Sequence, residues 1–60
     1  MSDLSNKILE ILKKVKTADF EYLEDSLRIS HEDFMIAINE LEKERKVEIN
    51  DTRELIRLKE

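Results

Sequence analysis

The sequence predicts a small α+β domain in which three helices precede a two-stranded β-hairpin. A change of period along the 60 residues is the first observation behind this. Apolar residues recur at helical spacing up to residue 45, then alternate singly with polar ones, as in a half-buried strand. The second observation is the stretch Ile29-Ser30-His31-Glu32-Asp33-Phe34, where three signals of a helix start coincide. Ser30 can accept a hydrogen bond from an unpaired backbone N–H, Asp33 is placed to reach back to Ser30 as in a capping box, and Ile29 with Phe34 can form a hydrophobic staple.

The first helix is expected over residues 4–15, with Leu4, Ile8, Ile11, Leu12 and Val15 on one stripe and Leu9 at its margin. Ser2 or Asp3 can cap it. Lys13, Lys14 and Lys16 place cations at its negative C-terminal end, which is the plainest role for that basic run. Lys16-Thr17-Ala18 reads as a short connection, at most one extended turn. Asp19 can cap a second helix over residues 20–28, whose inner face is Phe20, Leu23 and Leu27. A tight turn at Arg28 and Ile29 leads into the third helix, residues 31–45, with Phe34, Ile38 and Leu41 facing inward. Val47 and Ile49 then alternate with charged residues, as do Ile56 and Leu58, giving a hairpin over residues 46–59. One register sets Val47 against Leu58, Glu48 against Arg57 and Ile49 against Ile56, and leaves Asp51 to Glu54 as the loop. It is favoured because it joins opposite charges across the strands. The expected core is Leu4, Ile8, Leu12, Phe20, Leu23, Leu27, Phe34, Ile38, Leu41, Val47, Ile49, Ile56 and Leu58.

Composition narrows the function. A chain this short buries only roughly 60% of the surface its unfolded form exposes, so one thin core and no deep pocket is the expectation. Without cysteine there is no thiolate metal site, and without glycine no phosphate-cradling loop. One histidine, His31, is expected in solvent, and serines 2, 5, 26 and 30 have no base beside them. The chain therefore reads as non-catalytic, with no cofactor, metal, membrane or small-molecule partner. No apolar run approaches the roughly 18 residues of a membrane span, and a cytoplasmic location is expected. Charged residues make up 43% of the chain and its net charge is −4. The acidity is central: residues 17–29 and 30–45 each carry −3, residues 1–16 carry +2, and residues 46–60 balance.

Helix, helix, tight turn, helix and hairpin is the order of the winged helix-turn-helix family. The run Leu23-Glu24-Asp25-Ser26-Leu27-Arg28-Ile29-Ser30, with Phe34, Ile38 and Leu41, resembles its helix-turn-helix pattern, and residues 46–59 resemble its wing. Residues 1–60 are expected to form one domain, and the likeness covers nearly the whole chain. It lies more in spacing than in residue identity. Arg28 and Arg45 stand where the family often has glycine, and Glu24 where it prefers a small residue.

The resemblance implies a binding module in transcription or nucleic-acid machinery, with His31, Glu32, Met35, Ile36 and Asn39 facing outward on the third helix, and Glu40 and Lys43 further along. That face suits DNA poorly, because affinity for a duplex comes largely from Lys and Arg on phosphates, and here Glu32 and Glu40 would meet them. Met35 and Ile36 are adjacent and cannot both be well buried. Met35 is expected to stay exposed, while Ile36 has the option of tucking against the wing or the first helix. Exposed apolar residues with an acidic rim point to a protein partner or a second copy of the chain, contacted through Met35, Ile36, Asn39 and Glu32. The alternative is a small dimeric DNA-binding regulator using Arg53, Arg57 and Lys59 of the wing with Lys13, Lys14 and Lys16.

Overall fold

The computed structural model describes residues 3–59. Three helices and a three-stranded antiparallel sheet follow one another as α1 (Asp3–Val15), β1 (Thr17–Asp19), α2 (Phe20–Leu27), α3 (His31–Lys43), β2 (Val47–Asn50) and β3 (Leu55–Leu58). The fold is α+β and winged-helix-like in layout, but its strands number three where two were expected. The added strand is β1, in the segment read as a connection. It pairs with β3, setting Ala18 beside Ile56, so β3 lies in the middle of the sheet. Three residues with one apolar alanine carry too little periodicity to announce a strand. Pairing with β3 makes it one.

The β2–β3 register agrees with the expectation, with Val47 against Leu58, Glu48 against Arg57 and Ile49 against Ile56. Asp51 to Glu54 form the turn. Asn50 Oδ1 braces it by accepting from Arg53 N at 3.2 Å. Side chains alternate across the sheet. Ala18, Val47 and Ile56 are buried beneath the helices, while Thr17, Glu48 and Arg57 lie exposed in one row on the other face.

The helix boundaries follow from local chemistry. Asp19 accepts from Tyr22 N at 3.0 Å and opens α2. Ser30 Oγ accepts from Asp33 N at 3.1 Å and opens α3. Asp3 is already helical, and Ser2 lies outside the described residues. α2 and α3 each stop short of the expected end, at Leu27 and Lys43, because Arg28 and Arg45 turn left-handed, with φ of 54° and 60°. After α3 the chain closes a Schellman motif: Lys46 N donates to Leu41 O at 3.0 Å and Arg45 N to Glu42 O at 2.9 Å. Lys16 and Glu54 also take left-handed φ, 69° and 53°. A chain without glycine thus makes these turns with side chains that cost about 1–2 kcal/mol each in that conformation.

The core joins all three helices to the sheet through Ile8, Leu12, Phe20, Leu23, Phe34, Ile38, Leu41, Val47 and Ile56. Phe20 and Phe34 meet edge-to-face, with ring centroids 5.2 Å apart. Leu4, Leu27, Ile49 and Leu58, expected inside, are only half-buried against its margin. They lie near the ends of their elements, where a domain this small has little left to cover them. Ala18 and Ala37 occupy buried places that the expectation omitted.

Candidate interaction surface on the third helix

α3 is held by its inner face and by its cap, so its outer stripe is set in orientation. Phe34, Ala37, Ile38 and Leu41 are buried, which turns Glu32, Ile36, Asn39 and Glu40 to solvent. The two adjacent apolar residues are arranged the opposite way from the expectation. Met35 is half-buried and packs against the core, whereas Ile36 is 60% exposed. Helical geometry accounts for this: Met35 lies one turn before Ile38 and is carried toward the core edge, while Ile36 falls on the far side of the same turn.

Ile36 borders a shallow depression between α1 and α3. Its other walls are Leu4, Ala37, Asp33 and Glu40. Ala37 has no side chain beyond Cβ to fill the groove. Asp33 and Glu40 stand one turn before and one turn after Ile36, about 10 Å apart along the axis. Neither forms an ion pair among the described residues. Glu32 and Asn39 are exposed on the outer stripe beside this depression without lining it. Leu4 and Asp33 were absent from the expected contact set because each had a structural reading, core and cap, and Ala37 was not singled out at all. Only the packing of α1 on α3 brings them together.

The hinge between α2 and α3 carries a side-chain link that the sequence did not announce. His31 Nδ1 lies 2.8 Å from Glu24 Oε2. His31 is 62% exposed, as expected of a solvated residue, yet it meets the half-buried carboxylate of Glu24. Glu24 thereby has a polar partner at the half-buried position it occupies on α2.

Of the residues of the DNA alternative, the fold brings Lys16, Arg57 and Lys59 to one depression and leaves Arg53 apart. Lys13 and Lys14 are exposed in the last turn of α1. Lys16 and Lys59 come to one end of the sheet, where Lys16 O accepts from Leu58 N at 2.9 Å and Lys59 N donates to Lys46 O at 3.0 Å. Arg57 borders the same end, but its guanidinium pairs with Glu48. The hydrogen bond and charge of Arg57 hold the Glu48 carboxyl below its usual range, and Glu48 raises Arg57 in turn. Arg53 sits in the β2–β3 turn, beyond the other end of β3.

Among the described residues no cluster of three or more His, Cys, Asp or Glu side chains could hold a metal ion. No helix there is long and apolar enough to cross a membrane. Compared with protein-family models, with curated proteins and with solved structures, the chain matches none.

Proposed function

We propose that this chain is a non-catalytic winged-helix binding module of the transcription or nucleic-acid machinery that engages another protein through the outward face of α3. The observation that carries the reading is Ile36, a large apolar side chain exposed on a rigid, capped helix and set in a depression between two acidic residues. A large side chain that a partner removes fully from water at the centre of an interface acts as its anchor. Met35, half-buried against the core, does not line the depression and contributes less to this surface than Ile36. The pairing of Arg57 with Glu48, and the separation of Arg53 from the lysine-bearing end of the sheet, favour protein contact over the wing-mounted DNA reading.

The test is a titration of isotope-labelled protein with mixed-sequence duplex DNA at low salt, after sedimentation has established the oligomeric state. The expected result is no salt-sensitive amide shift at Arg53, Arg57, Lys59, Lys13, Lys14 or Lys16. Shifts at those residues that fade as salt is added, with the steep dependence of phosphate contacts, would establish the DNA reading instead.

A further inference from the structure

We propose that the depression beside Ile36 takes an amphipathic helix that carries an apolar residue between two Lys or Arg side chains about seven positions apart. This rests on the assignment of α3 as a protein-binding face and adds the chemistry of what binds there.

The walls define the ligand. Leu4 and Ala37 supply apolar walls, and Ile36 stands exposed beside them. An apolar side chain seated there removes Ile36 from water, which drives association. Asp33 and Glu40 both line the depression, seven residues apart on α3. They call for cations, and a chain of net charge −4 attracts a basic partner over long range while repelling an acidic one. Lys7 follows Leu4 by three positions on α1, and Lys43 follows Glu40 by three on α3.

Spacing selects the partner's secondary structure. Two acids seven residues apart on α3 lie about 10 Å from each other along its axis, and side chains at positions i and i+7 of a partner helix repeat that distance on one face. An extended peptide matches it poorly. Its same-face side chains fall at about 6.6 or 13 Å, because residues three apart point to opposite sides. A second copy of this chain is disfavoured on this surface. Two-fold pairing sets a patch against itself, so Asp33 and Glu40 would face the same acids across the axis.

The experiment uses the whole chain, isotope-labelled, and three alanine-rich helical peptides of roughly 15–20 residues. One has Lys at i and i+7 with Leu between, the second has the same composition with the lysines moved to the opposite face, and the third has Glu in place of Lys. The first should shift the amides of Leu4, Asp33, Ile36, Ala37 and Glu40, and should bind at least about tenfold more tightly than either of the others at low salt. Glu40→Lys should reverse the preference between the Lys and Glu peptides. The double variant Asp33→Lys/Glu40→Lys should reverse it further, with an otherwise unchanged amide spectrum showing that the fold is retained. If all three peptides bind α3 equally, the basic-helix proposal is wrong while α3 still stands as a protein-binding face. If the Lys peptide shifts only Glu21 and Asp25 of α2, it is following charge alone, and both the proposal and the α3 surface fail.

Discussion

Two faces of this molecule turn charged side chains outward, and they differ in how that charge is met. On the outer face of the sheet, Glu48 and Arg57 lie opposite one another in the β2–β3 register and pair. On the outer face of α3, Asp33 and Glu40 have the same sign and flank an exposed isoleucine. The sheet's central charges are neutralised within the chain. Among the described residues, Asp33 and Glu40 form no ion pair. Strand pairing brings Glu48 and Arg57 together from different parts of the chain, whereas residues on one helix face have only their own neighbours unless another element crosses them. Whether a charged face is compensated within the fold is set by which elements cross it, and composition alone does not separate the two cases.

The largest effect that would break this comparison lies within α3. Met35 and Ile36 are neighbours in sequence and opposites in burial. Replacing half-buried Met35 with Ser should cost about 1 kcal/mol, half of what full burial of such a side chain contributes. Ile36→Ser should stay within about 0.5 kcal/mol of the parent, as exposed substitutions do. Thermal unfolding followed by circular dichroism reads both. Equal losses would mean that Ile36 is covered in solution, and the outward face would lose its anchor.

A smaller effect, of opposite sign, tests how firmly α3 is held. Arg45→Gly relieves left-handed strain of about 1–2 kcal/mol and gives back about 0.5–1 kcal/mol in unfolded-chain entropy. The expected gain is about 0.5 kcal/mol, read as a higher urea midpoint with unchanged slope. A loss would mean that the arginine side chain stabilises the α3–β2 turn in a way its backbone does not reveal.

The smallest effect belongs to the sheet face. Arg57 lowers the folded-state pKa of Glu48 from the ordinary value of 4.5. The pair's contribution is therefore present above the unfolded carboxyl's value and is lost as pH falls through the lowered folded one. Glu48→Gln should flatten the acid limb of the stability curve slightly and leave neutral-pH binding at α3 unchanged. An unaltered acid limb would show that solvent screens the pair completely.

Much of this arrangement was legible from residues alone, and the reasons for the rest are specific. Ser30 and Asp19 announced their helices because capping is local chemistry, and the hairpin register followed from alternation and the Glu48–Arg57 match. β1 was not legible, since Thr17-Ala18-Asp19 becomes a strand only through β3. Arg28 and Arg45 were visible as departures from glycine, but not which conformation they would take. The α3 surface was half legible. Its acids and its spare apolar residue are in the sequence, but the choice of Ile36 over Met35 depends on the angle of α3 against the core. The depression itself depends on Leu4, brought there from α1.

The central claim is that the α3 face meets another protein and the sheet face does not. It is tested most directly by placing a photoreactive residue at Ile36 in one variant and at Thr17 in another, then irradiating each in cells of the source organism. The account predicts discrete protein adducts from position 36 that disappear when Glu40→Lys is added, and none from position 17. Adducts from position 17 with none from position 36 would contradict it, and would move the binding surface to the sheet.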